Sequence, residues 1–233
     1  MKFRDIELTG PMTIAALLSF NGGFVDAAGY LGLHGLFVAH VTGNFVTLGA
    51  ALVQGGHGII GKILALPEFI GVIALARLIG TVQRAHGLPA MTPLLIAKVA
   101  LLVMFFALAV SCGPFPDGDT PLALLTGFAG VAAMAMQNAV QRVHMSSLPP
   151  STMMTGSTVQ VTIDAVDLLT GENPGERGKV RARFNRLAIA ILFFALGCAV
   201  SAFLFFHLGF WCLAVAVVVG TTAAVLQIRQ GQP

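Results

Sequence analysis

Charge is what this sequence has least of. Only 10% of its 233 residues are Asp, Glu, Lys or Arg, whereas 56% are apolar. A soluble domain carries about 25% charged residues, so this chain has too little polar surface to cover itself in water, and a soluble two-domain enzyme is excluded. Cysteine is also sparse. Cys112, Cys198 and Cys212 lie in or beside apolar runs, without metal-ligand spacing, and read as small packing residues. No nucleophile elbow and no paired catalytic carboxylates occur, and the six histidines are scattered, so no enzyme, metal or cofactor is expected. Gly56-His57-Gly58-Ile59-Ile60-Gly61 fits the pattern G-x-G-x-x-G, but no strand precedes it and no βαβ unit surrounds it. The small basic excess, 13 Lys and Arg against 10 Asp and Glu, does not indicate nucleic acid. Five of those cations fall between Arg177 and Arg186, as in a membrane-flanking loop. The start of the chain shows no short apolar core with a small-residue cleavage site, so no removed signal peptide is expected.

What is present is apolar sequence of spanning length. Such stretches run at about 11–33, 36–55, 61–83, 90–111, 120–141, 149–170, 186–206 and 208–228, each near the ~20 residues that a membrane helix needs. Eight crossings would put Arg77, Arg84, Lys98 and Arg142 on the outer face. If 36–55 and 149–170 each enter and leave on one side, only Lys62 of the 13 basic residues stays outside, as the positive-inside rule favours. Arg77 and Lys98 sit inside segment ends, where they are expected to snorkel. The expected fold is an all-α integral membrane protein with six spanning helices and two re-entrant or broken segments. It has one membrane domain, both termini cytoplasmic, in a bacterial plasma (inner) membrane. Three crossings per half invert the second repeat (120–228) relative to the first (11–111), as in many transporters.

The halves share a motif. Val41-Thr42-Gly43-Asn44 follows Asp26, and Met154-Thr155-Gly156-Ser157 follows Asn138 at nearly the same spacing. Thr-Gly alone means little, since it occurs five times. Context carries the comparison: Gly23-Phe24-Val25-Asp26-Ala27 aligns with Ala135-Met136-Gln137-Asn138-Ala139, and one residue of length difference then aligns Thr42-Gly43-Asn44 with Thr155-Gly156-Ser157.

The stretch Gly23 to Gly29, the run Phe37 to Asn44, the tetrapeptide Met136-Gln137-Asn138-Ala139 and Met153-Met154-Thr155-Gly156 resemble the YoaK-like family of small bacterial multi-pass membrane proteins. The resemblance covers nearly the whole chain. It implies the membrane class and the motif boundaries, and supplies no substrate. The second copy departs from Thr-Gly-Asn at Ser157.

Irregular backbone at membrane depth survives only inside protein or along a cavity, and polar breaks at matching places in two halves point to a transporter's binding site. Gly43 and Gly156 relax the backbone, while Thr42, Asn44, Thr155 and Ser157 are expected to cap the helices that follow. Each helix would then aim its N-terminus at mid-membrane, favouring an anion or an acceptor-rich solute. Asp26, an acid well inside the first span, is expected to carry a coupled proton, to bond the tip, or to be a structural carboxyl satisfied by backbone N–H groups; Gln137 and Asn138 occupy the equivalent place. Glu68, after Pro67, is a second candidate site, and His40 reads as a packing or hydrogen-bonding histidine. Asp164 and Asp167 share a helix face and are expected to meet cytoplasmic water or Arg142. Gly22, Gly23, Ala27, Gly29 and Gly32 permit close helix packing and a homo-oligomer contact. The function expected is a transporter or channel for a small polar or anionic solute. A structural or assembly role in the bilayer is the alternative, and an intramembrane enzyme a distant third.

Overall fold

A computed structural model of the chain describes residues 10–171 and 174–230. Among them are eight α-helices: α1 (Gly10–Gly32), α2 (Gly43–Gln54), α3 (Ile59–Ala85), α4 (Met91–Cys112), α5 (Pro121–His144), α6 (Met154–Thr170), α7 (Arg177–Leu208) and α8 (Leu213–Gln230). A 3-10 turn, Gly209–Cys212, joins the last two. Five apolar helical stretches are long enough to cross a membrane, and the last of them holds both α7 and α8. The protein is therefore an all-α, multi-pass membrane protein. The helices α2 and α6, with 12 and 17 residues, are not among those stretches. Each is preceded by non-helical chain, 33–42 and 145–153, that runs into the apolar segments 36–55 and 149–170.

The helices run between two chemically different ends. At the acidic end Asp119 accepts hydrogen bonds from the first N–H groups of α3, at Ile59 (3.0 Å), Ile60 (2.8 Å) and Gly61 (3.4 Å). These are the N–H groups that a helix start leaves open. The Lys62 ammonium donates to His34 O (2.7 Å) and His57 O (2.9 Å), and His34 Nε2 bonds the Phe115 carbonyl (2.9 Å). The end of α1 and the starts of α3 and α5 thus meet. At the basic end Ile14 and Leu18 of α1 pack with Ala223 of α8, Met145 and Leu148. Arg77, Arg84 and His144 there line one crevice with Leu94. Hence α1, α4 and α7 run towards the acidic end, and α3, α5 and α8 run back.

Partners are exchanged between the halves. α1 packs on α7 and α8, while α5 packs on α3 and α4; α2 lies on α3, and α6 on α7; α4 meets α8. Exchanging the first four helices for the last four maps this set of partners onto itself. The tightest seam is α1 against α7. A Cβ on Gly23 would overlap the Phe194 carbonyl, and one on Gly197 would overlap that of Phe20. The Cys198 thiol donates to Gly23 O (3.3 Å) across the same seam, where small residues let backbones approach. Phe24, Val25, Leu102, Phe105, Met134 and Leu213 fill the core beside it.

Three sequence expectations change here. The basic run Arg177–Arg186 is not a loop but the opening of α7, and its Arg183 is bidentate to Asp164 of α6, with Nη2 to Oδ1 at 2.6 Å and Nε to Oδ2 at 2.9 Å. Asp164 is accordingly buried beneath the half-exposed Arg183 side chain, and faces neither water nor Arg142. Lys98 does not snorkel; it is 1% exposed, because α4 turns it into the core rather than towards the basic end.

Candidate functional site

The two non-helical stretches lie in the groove between α1 and α5. The first enters from the acidic end: Val38 touches the Cβ positions of Gly29 on α1 and Gly130 on α5. The Asp26 carboxylate holds its tip, accepting from Ala39 N–H (2.8 Å) and His40 N–H (3.2 Å). The second enters from the basic end, where Ser151 O and Thr152 press against Gly22. Gly22 and Asp26 are four residues apart, one helical turn of α1. The two breaks in the chain therefore arrive on adjacent turns of one helix, deep within it.

Each stretch is held by side chains that bond its backbone or its hydroxyl groups. In the first, Asn44 spans Phe37, accepting from Phe37 N–H at Oδ1 (2.8 Å) and donating from Nδ2 to Phe37 O (2.8 Å). In the second, α5 supplies three amides. Asn138 Oδ1 accepts from the Thr152 hydroxyl (2.7 Å) while its Nδ2 donates to Met134 O (2.8 Å). Gln137 donates to Leu18 O (3.1 Å) and Ser151 Oγ (3.0 Å). Gln141 donates to Pro149 O and accepts from Ser151 N–H (3.1 Å) and the Ser151 hydroxyl (2.6 Å). The aligned pairs do aligned work: Asp26 grips residue 39, and Asn138 grips Thr152, the residue aligned with it.

Ser157 can now be explained. Its counterpart Asn44 is needed because Phe37 exposes both an N–H and a carbonyl. The residue aligned with Phe37 is Pro150, which has no N–H. An amide has nothing to accept there, and Ser157 instead donates to Met153 O (3.2 Å), four residues back.

The threonines do not cap as expected. Thr42 stands at the N-cap of α2 but makes no side-chain cap bond; at α6 the N-cap is Met153, also without one, so that Thr155 falls inside the helix. The first turn of α2 closes on itself instead, with Gly43 N–H to His40 O (2.8 Å), Asn44 N–H to Val41 O (3.2 Å) and Phe45 N–H to Thr42 O (3.3 Å). No such bonds close the first turn of α6 among the described residues. Thr155 and Gly156 are exposed there, and a Cβ on Gly156 would meet nothing within 4 Å. Beside them Thr155, Thr158, Val159, Thr162 and Ile163 line an open groove.

The other sequence candidates lie apart from these contacts. Thr42 is exposed and Gly43 is packed under Phe37. His40 is exposed, its ring 5.7 Å from that of Phe37. Glu68 is partly buried in α3, and its Oε2 has no partner among the described residues. Among those residues no group of three His, Cys, Asp or Glu could hold a metal. The sequence reading missed Gln141, Ser151, Thr152 and Asp119, and gave Lys98 no part in a site. Gln141 was within reach, being four residues, one helical turn, after Gln137.

The bundle and its apolar helices define the class as multi-pass membrane protein. Residues 14–226 match the family described as "Protein of unknown function (DUF1275)", and the chain belongs to that family. It is similar to the UPF0700 transmembrane protein YoaK of Bacillus subtilis (strain 168), with 26% identity over 205 residues, covering 85% of this chain and 87% of that protein. The YoaK-like resemblance seen in the motifs thus holds across most of the chain. No solved structure matches the chain.

Proposed function

We propose that the protein is a transporter or channel for a small polar or anionic solute, rather than an enzyme. In this reading α1, α3, α4, α5, α7 and α8 span the bilayer, α2 and α6 with their stretches are re-entrant, and the α5–α8 half is inverted relative to the α1–α4 half. The basic end and both termini face the cytoplasm of a bacterial inner membrane. The exchange of helix partners and the paired grips at Asp26 and Asn138 support the inversion.

The observation that carries the functional reading is the meeting of two interrupted segments on adjacent turns of α1, one of them leading into a helix start with open N–H groups. Bare N–H groups and a positive dipole end favour an anion or an acceptor-rich solute. The solute path runs past the tips, over Thr42, Gly43 and Asn44 from one side and Thr155, Gly156 and Ser157 from the other. Asp26, Gln137 and Asn138 hold the stretches behind them, with His40 beside the first. The test is flux into proteoliposomes, assayed with chloride, nitrate, formate and urea. Thr155→Val keeps shape and removes a hydroxyl; Gly156→Ala adds a methyl group where there is room for it. Each should lower flux of the carried solute about tenfold, the loss of about 1.4 kcal/mol of interaction, with unchanged abundance in the membrane. Unchanged flux in both variants would remove the tips from the path. A structural or assembly role is favoured by the full use of Asp26 and Asn44 in holding backbone; it requires that the wild type carry none of the four.

A further inference from the structure

Three buried polar groups at one level of the core lack partners. Lys98 is 1% exposed, and its ammonium meets no acceptor among the described residues. Asn21, the middle residue of α1, is fully buried with neither Nδ2 nor Oδ1 bonded. Gln137 spends its N–H groups on Leu18 and Ser151, and its carbonyl Oε1 is open.

Gly220 of α8 sets the level. A Cβ there would stand 3.4 Å from Asn21 Nδ2 and 2.7 Å from Leu102 of α4. Lys98 lies one turn before Leu102 on the same face of α4. One turn along α8 from Gly220, Ala223 packs with Leu18, whose carbonyl holds Gln137, and Ala224 packs with Leu94, Leu95 and Met136. Asn21, Lys98 and Gln137 therefore surround one turn of α8, from Gly220 to Ala224, among α1, α4, α5 and α8.

Native interiors leave few polar groups unpaired, and an uncompensated buried charge is strongly destabilising. Among the described residues no carboxylate is bonded to Lys98; Asp26 is committed to Ala39 and His40. One ammonium and one amide donor match a single negative charge. A phosphate or a divalent oxyanion is usually met by a guanidinium fork, and the three open groups here include none. Oε1 of Gln137 can only take a donor, so it fits a water carried with the anion rather than the anion itself. We propose that Lys98 and Asn21, with the Gln137 carbonyl at the edge, form an internal site for a small monovalent anion, separate from the Thr-Gly tips.

The test reads binding rather than flux, so it stands or falls apart from transport. Purified protein in neutral detergent is unfolded thermally while sodium chloride, nitrate or formate replaces sodium gluconate at constant ionic strength. A ligand bound by the folded state alone raises the midpoint with concentration. The wild type should show a saturable rise with at least one of the three small anions. Lys98→Met, which keeps length without charge, should abolish that rise and lift the midpoint in gluconate. Asn21→Leu should weaken the apparent affinity about tenfold, as expected for the loss of one charge-assisted hydrogen bond. The absence of a saturable response in the wild type, or an unchanged response in Lys98→Met, overturns the site. Should Lys98→Met fail to fold, an unchanged affinity in Asn21→Leu overturns it as well.

Discussion

The two broken segments do one job with different chemistry. In the first, a carboxylate takes two backbone N–H groups and one amide spans Phe37. In the second, three amides on α5 divide the work among Pro149, Ser151 and Thr152. The helices that follow are also anchored differently. The residue of α2 aligned with Asp164 is Ala51, buried by packing, whereas Asp164 is tied to Arg183. The lesson is that the two halves keep the position of a polar grip before its identity. What each copy requires is a partner for whichever backbone groups its own loop leaves open.

Substitutions can break or sharpen that comparison. The largest effect is expected at Asp26. Asp26→Leu strands the N–H groups of Ala39 and His40 and should remove about 2–6 kcal/mol of stability, about 1–3 kcal/mol for each buried N–H left unsatisfied. The monodisperse fraction surviving a heat step in detergent measures it. Asp26→Asn keeps an acceptor and should recover most of the loss; equal damage from both would mean that the charge, not the acceptor, holds the stretch. Next comes Arg183→Ala, which leaves the Asp164 carboxylate with the Gln160 amide as its remaining donor. Because the arginine side chain is itself 47% exposed, the loss should be about 2 kcal/mol, below that of a fully buried pair. Asp164→Ala should cost less, since Arg183 can turn to water, and thermal midpoints of the two variants rank them. Asn44→Ser should then cost about 1–3 kcal/mol, because it opens the Phe37 N–H and carbonyl. The mirror change Ser157→Asn faces Pro150 and should gain nothing. Ser157→Ala should be smallest, within about 0.5 kcal/mol, since a hydroxyl bonded four residues back contributes little to a helix. A large loss there would show that Ser157 grips something other than its own helix.

The sequence made the skeleton legible and hid the contacts. Asp26 and Asn138 stood out because polar residues are rare in apolar runs, and their spacing to Thr42 and Thr155 located both breaks. The exact helix starts were not visible. Apolar residues such as Leu36, Val38 and Met153 continue through the extended stretches, so hydropathy does not mark where α2 or α6 begins. Capping was misjudged because the α2 backbone closes its own first turn, leaving Thr42 without that task. Lys98 resembled a snorkelling residue because distance from a segment end says nothing about which side of the helix it occupies. The tie between Ser157 and Pro150 needed a register between loops, which only the grips at Thr152 and Ala39 supply.

The seam between α1 and α7 has a consequence for the time course of synthesis. Phe194, which closes on Gly23, follows Gly32 by 162 residues, and translation at about 5–20 residues per second makes that delay roughly 8–30 s. During that interval α1, with Asn21 and Asp26 already in place, has left the ribosome without the helix that will enclose it. The final two helices do not extend a finished bundle; they give the first one its place.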